Sequence, residues 1–284
     1  MILVTAATGK LGRLVAEELL KKVPARQVVV GVRSPEKASE LAARGVQVRK
    51  LDYSQPETLG PALAGVEKVL LISSNEVGQR AVQHQAVVDA AKKAGVRLLA
   101  YTSILHGDRS RLALAGEHKA TEEAIRASGL PFVLLRNGWY FENYTENLGP
   151  ALTHGALVGS AGAGRIAAAT RADYAAAAAA VLAGAGHENK VYELAGDSPF
   201  TMSELAAEVS RGAGKAIAYN DLPRQQYLGV LVGAGLPGPY AEILVDADVG
   251  ASQGELDDAS GDLRRLIGRP TTPLADAVAV AFKR

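Results

Sequence analysis

Residues 2–20 read ILVTAATGKLGRLVAEELL, and three elements follow one another within them. Ile2–Val4 is apolar, partly β-branched and short enough for a buried strand. Leu11, Leu14, Val15 and Leu19 then recur at helical spacing on one face. Gly9 and Gly12 lie between them, where a tight turn needs residues without side chains so that backbone can approach a pyrophosphate and helix can settle on strand. The helix start would present free N–H groups and partial positive charge to the phosphates. A full glycine fingerprint would carry a third glycine at position 6, where this chain has Ala6. An ordinary strand-to-helix turn with no ligand is the alternative, and the context of the turn favours a dinucleotide.

Outward from this stretch the pattern repeats. Strands are expected at 27–32, 46–51, 66–72, 97–101 and 131–136, with helical segments between them, one from about 116 to 127 and another marked by Val77, Ala81, Val88 and Ala91. Strands alternating with helices predict an α/β fold, a doubly wound (Rossmann) parallel sheet, with ligands at the carboxyl ends of the strands. The second strand ends in Gly31-Val32-Arg33, followed by Ser34 and Lys37, with no acid before Glu36. A base at this position accommodates a 2′-phosphate where an acid would bind the 2′-hydroxyl, so Arg33 points to NADP(H). Asp52-Tyr53 would flank the adenine, or Asp52 would cap the turn before Pro56. Ser73-Ser74-Asn75-Glu76 should lie near the middle of the cofactor.

Beyond residue 136 the pattern changes. Residues 137–147, NGWYFENYTEN, form the densest aromatic and amide cluster and hold the only tryptophan; flat apolar walls with a few amides suit a ring-shaped ligand. The remainder reads as a smaller, irregular α+β substrate lobe. It has a glycine-rich stretch at 155–164, an alanine helix capped by Asp173, a strand at 190–194, a capped helix at 201–209, and loops at 237–239 and 250–254. The expected division is an NADP-binding Rossmann domain over 1–150, with the segment from about 165 to 195 returning to it, and a substrate-binding lobe over 151–284.

The chain has 284 residues, a formal charge of +1, 48% hydrophobic residues and no cysteine. Mixed charge without a basic block argues against nucleic acid or an anionic membrane as the partner, and a small molecule is expected instead. Disulfides, thiolate nucleophiles and zinc–sulfur sites are excluded. The five histidines show no ligand spacing for a metal. No apolar run approaches the roughly 18 to 20 residues that span a bilayer, and a strand beginning at residue 2 leaves no room for a signal peptide. The expectation is a cytoplasmic protein, with a homo-oligomer left open.

VTAATGKLG, VRSPEKA, the LLIS loop and LLRNGWYFEN together resemble the NmrA-like, atypical branch of the short-chain dehydrogenase/reductase superfamily, and YELAGDSPFTMSELA is similar to its substrate-closing lobe. Within that branch, SSNEVGQR, YTSILH, RNGWYFENY and ATRADYAAAAA resemble the flavin-free NAD(P)H:quinone oxidoreductase type 2 enzymes over essentially the whole chain. The resemblance implies that Ala6, Ala7, Thr8, Gly9, Lys10, Leu11 and Gly12 hold pyrophosphate and that Arg33 holds the 2′-phosphate. It also implies that Ser74, Asn75 and Glu76, with Gly138, Trp139, Tyr140, Phe141, Glu142 and Asn143, border the nicotinamide half. Ala6 departs from the usual glycine, a change tolerable at negative φ.

Ordinary members of the superfamily use a tyrosine with a lysine four residues later, and no tyrosine here has one; His118 takes the lysine position, with Lys119 beside it. Quinone reduction fits this loss, since hydride transfer to an electron-poor ring needs little acid–base machinery. Asn137, Tyr140 and His118 are the candidates to orient the quinone or hydrogen-bond the developing oxyanion, with Trp139 and Phe141 as walls. Two other readings stand: a non-catalytic NADP(H)-binding redox sensor of the NmrA type, and a reductase of plant-type aromatic ethers or lignans, which would want a lysine at 118.

Overall fold

The computed structural model describes residues 1–283. Nine strands are found among them: β1 Ile2–Val4, β2 Val28–Val32, β3 Gln47–Lys50, β4 Lys68–Leu71, β5 Leu98–Ile104, β6 Phe132–Asn137, β7 Ala156–Gly159, β8 Lys190–Leu194 and β9 Ala218–Asp221. Seven form one sheet in the order β3-β2-β1-β4-β5-β6-β8, every pairing parallel. This is the doubly wound topology, and the strand order reverses direction between β1 and β4.

Side chains alternate across the sheet, and both faces are covered, so its inner strands carry apolar residues toward both sides. Val4, Val30, Leu70, Ala100 and Val133 face the helices Lys10–Leu20 and Arg171–Ala183, while Leu3, Val29, Val69, Leu99 and Leu134 face Leu59–Leu63, Arg80–Lys93 and Ala115–Ser128. The alanines of 175–179 let the helix 171–183 lie close against the helix 10–20. That helix starts on Thr170, whose Oγ1 accepts from the Asp173 N–H; Asp173 sits inside the first turn and is not the cap.

A separate core gathers Phe141, Ile166, Phe200, Leu205, Val209 and Ala251, and β7 pairs in parallel with β9. The helix Met202–Ala213 opens with a capping box between Thr201 and Glu204. Three expectations are corrected here. Val77 precedes the helix Arg80–Lys93 and is exposed. Gly238 and Pro239 begin the helix Gly238–Ser252, with proline where its missing N–H costs nothing. Gly250 belongs to that helix and not to a loop, and is glycine where a Cβ would stand 2.3 Å from Leu112 Cδ2. Among the described residues no helix is long and apolar enough to cross a membrane.

Candidate functional site

At the point where the strand order reverses, the carboxyl ends of β1 and β4 part and open a groove of about 670 Å³, within the range of small-molecule sites of roughly 300–1,000 Å³. Its floor is Ala6, Thr8, Gly9, Lys10, Leu11 and Gly12; its walls are Arg33, Lys37, Leu51, Asp52 and Tyr53 on one side and Ile72 to Glu76 on the other.

The turn is shaped to receive an anion. Gly9 is the N-cap of the helix Lys10–Leu20 and has no side chain to occupy the first N–H groups, so those of Lys10, Leu11 and Gly12 are left for a ligand. A Cβ on Gly12 would stand 2.5 Å from the Ala6 carbonyl oxygen and 2.8 Å from Ala7 Cα. Only glycine lets helix and turn approach this closely. Ala6 itself has φ +49°, in the left-handed region, which overturns the expectation of negative φ. The third glycine of the fingerprint is replaced at a position whose backbone still has the glycine-like conformation.

Thr5 secures the groove from below. Its Oγ1 donates to Leu70 O (3.0 Å), accepts from the Ile72 N–H (2.9 Å) and accepts from the Tyr53 hydroxyl, which also reaches Ile72 O (2.8 Å). Burial raises the Tyr53 phenol above its ordinary value, so it remains a donor. Asp52 Oδ1 accepts from Ser54 N–H (3.0 Å) and fastens the turn, although the residue also lines the groove. Sequence reasoning passed over Thr5, because a threonine after a strand carries no distinctive signal.

The loop after β4 is braced from behind. His84 Nε2 accepts from the Ser74 N–H (3.0 Å), while its Nδ1, at 2.9 Å from Thr121 Oγ1, is left to donate. Arg80 Nε donates to Ser74 O (2.7 Å). Burial, and then the nearby Arg80 charge, push His84 down to about 4, which keeps it neutral and able to accept. Glu76 lies 3.5 Å from Arg33 across the groove. The tip of the loop, at Glu76, thus stands opposite Arg33, while Ser73, Ser74 and Asn75 line the same groove.

The segment after β6 adjoins the turn without lining this groove. Glu146 pairs with Lys10 and, at 2.9 Å, with Arg171. Burial raises the Glu146 carboxyl, but the two cations outweigh it and leave its pKa lowered. Arg171 also lies over the Tyr140 ring, 5.1 Å from the centroid, and Tyr140 meets Tyr174 edge-on at 5.2 Å. Asn137 Nδ2 is 3.4 Å from the Tyr140 hydroxyl, and Asn137 Oδ1 is buried without a partner. Glu142 accepts from the Arg171 N–H (2.9 Å), Asn143 is exposed, and Gly138 N–H donates to Leu194 O (2.7 Å).

Two expected site residues lie elsewhere. Phe141 stacks on Phe200 at 5.4 Å in the core of the second lobe, with Trp139 packed half-buried beside it, so the Phe141 ring is not a wall of the groove. His118 is buried in the first turn of the helix Ala115–Ser128, with Nδ1 2.8 Å from the Tyr101 hydroxyl, and does not line the groove. Burial, then the nearby Arg80 charge, hold it down to about 3, so it is neutral and tied into the structure.

A family model described as NAD(P)H-binding matches residues 6–184. Over 99% of both chains, the sequence is 55% identical to Quinone oxidoreductase 2 of Escherichia coli. The solved structure of an E. coli NADPH-dependent quinone oxidoreductase complexed with NADPH superposes with a TM-score of 0.97, covering 99% of this chain and 100% of that one. The Citrobacter triphenylmethane reductase complexed with NADP(H) superposes at 0.95 with 44% identity, again over 99% and 100% of the two chains.

Proposed function

Because the chain belongs to the NAD(P)H-binding, NmrA-like family, we propose that it is an NADPH-dependent quinone reductase that passes hydride directly to a quinone without a flavin. One observation carries the choice of chemistry. The position that holds lysine in alcohol-type members is here a neutral, buried histidine bonded to Tyr101, while the phosphate-cradling turn is intact. NADPH, when bound, supplies the hydride from its nicotinamide C4. The protein's own share is to bind, orient and stabilise charge.

The free N–H groups at the start of the helix Lys10–Leu20 would hold the pyrophosphate, and Arg33 would hold the 2′-phosphate. Asn137 and Tyr140 stand at the carboxyl end of β6, where the reacting ring would lie. Burial raises the Tyr140 phenol, so it keeps its proton at the hydroxyl oxygen and can donate to the developing quinol oxyanion. Asn137 Oδ1, buried without a partner, is an acceptor available to fix an amide or hydroxyl. Quinones and triphenylmethane dyes are both electron-poor hydride acceptors, so the names of the two relatives support the same demand on the protein.

Purified protein without added flavin is expected to oxidise NADPH in the presence of a simple benzoquinone, followed by loss of the reduced nicotinamide absorbance. Cofactor binding with no turnover above the uncatalysed rate would refute the enzyme reading and favour a sensor. Tyr140→Phe should lower kcat roughly tenfold or more while the affinity for NADPH is retained. Arg33→Ala should weaken NADPH by roughly tenfold and NADH far less; equal losses would remove Arg33 from its role.

A further inference from the structure

The second strand ends without the acid that reads a ribose 2′-hydroxyl, but the groove does not lack one. Glu76, brought from the end of β4, places Oε1 3.5 Å from Arg33 Nη1. Its carboxylate is not free to swing away, because Oε2 accepts from Gln83 Nε2 (2.7 Å), and its N–H donates to Ser74 Oγ (3.1 Å). Gln83 is in turn held by Ser54 (3.0 Å), and the Ser74 peptide by Arg80 and His84. The other acid of the groove, Asp52, is committed to its own turn through Ser54 N–H.

We propose that Arg33 and Glu76 together form a two-sided cofactor selector, in which Glu76 accepts from the ribose 2′-hydroxyl of NADH and opposes the 2′-phosphate of NADPH. The proposal rests on the assignment of Arg33 to the 2′-phosphate. A phosphate hydrogen-bonded to Arg33 lies within about 6 Å of the Glu76 carboxylate, and both groups are anionic. The pair is half-exposed, so the appropriate dielectric is close to that of water. For a phosphate with nearly two charges at that distance, Coulomb repulsion amounts to roughly tenfold in affinity, cut by salt screening to roughly threefold to fivefold. Arg33 supplies the larger, attractive contribution, so NADPH remains preferred while NADH keeps a charged acceptor for its hydroxyl. The acid that the glycine-fingerprint fold ordinarily carries on its second strand is thus relocated to the fourth.

The test is calorimetric titration of NADPH and of NADH into the full-length protein and its Glu76→Gln and Arg33→Ala variants, at low and at high salt. Glu76→Gln keeps the shape and the bond to Gln83 and removes only the charge. The expected result is tighter NADPH and weaker NADH, with the preference for NADPH rising roughly tenfold or more at low salt and less at high salt. A preference that rises less than twofold, or falls, overturns the selector. A general disturbance of the loop would weaken both cofactors together, so opposite signs exclude it. Arg33→Ala reports separately on the underlying assignment: if it costs NADPH no more than NADH, the 2′-phosphate site is wrong whatever Glu76→Gln does.

Discussion

Gly12→Ala is the most demanding test of how the groove is built. The added methyl would stand 2.5 Å from Ala6 O, 2.8 Å from Ala7 Cα and 2.9 Å from Ala6 C, all backbone atoms that cannot rotate aside. Ordinary contact begins at 3.4 Å, so the start of the helix must retreat from the turn by roughly 0.9 Å. A gap of about that size forfeits a quarter to a half of each dispersion contact across it, here those of Leu11 and Val15 against β1. The expected cost is about 1–3 kcal/mol in stability, a fall of several degrees in Tm for a chain of this size. Binding should suffer as well, because the N–H groups that cradle pyrophosphate move with the helix. Gly9→Ala provides the contrast: its Cβ would meet only Ala6 O, at 3.1 Å, a few tenths of an ångström too near. Thermal melts with and without NADPH, together with NADPH titrations, measure both variants. If Gly12→Ala melts and binds like the parent, or if Gly9→Ala is the worse of the two, the close approach of helix to turn is not what the glycine provides.

Ala6→Gly should be neutral to stabilising by up to about 1 kcal/mol, because φ +49° strains an alanine more than it strains a glycine; a clear drop in Tm would contradict that. Arg136 is bonded to both oxygens of Glu122 (2.9 and 2.7 Å), to Glu193 (2.8 Å) and to Asp108 (2.7 Å), with its side chain and that of Glu122 buried. Arg136→Met should cost about 3–5 kcal/mol in urea unfolding by stranding Glu122, and Glu122→Gln added to it should restore part of the loss. Burial pushes the Asp248 carboxyl up to about 6 despite its bond from Ser160 N–H (2.9 Å). Its folded value exceeds its unfolded one, so the folded state holds the extra proton between about pH 4 and 6 and stability falls as pH rises through that window. Asp248→Asn should remove about 2–3 kcal/mol of that fall, read from unfolding curves at pH 4 and 7; an unchanged pH profile would place the charge elsewhere.

The inner strands were legible because a parallel sheet covered on both faces carries apolar residues toward both sides, as in the runs VVVGV and KVLLI. Their ends were less so. β5 runs on through the polar Thr102 and Ser103 to Ile104, residues whose partners on β6 lie some thirty residues away. The phosphate turn was visible because glycine is the only residue that fits it, and Arg33 because a base there is an exception to the usual acid. Glu76 could be named as a loop residue near the cofactor but not placed, since its position follows from Gln83, Arg80 and His84 on the helix behind it. His118 misled because alignment with a catalytic lysine says nothing about which way a helix is turned. The aromatic run 139–141 divided for the same reason. Tyr140 faces Arg171, and its neighbour Phe141 turns into the core of the second lobe.

Thr5 has a thermodynamic consequence for the whole groove. With one hydroxyl joined to β1, β4 and Tyr53, the floor on which a dinucleotide would rest is ordered before anything arrives, and its conformational entropy is already spent in folding. What is left to immobilise on binding is the rim, the long and exposed side chains of Lys10 and Arg33, each costing about 0.5–1.5 kcal/mol to fix. Gains in affinity are therefore to be found at the rim, by stiffening those arms in place, while changes to the floor can only lose it.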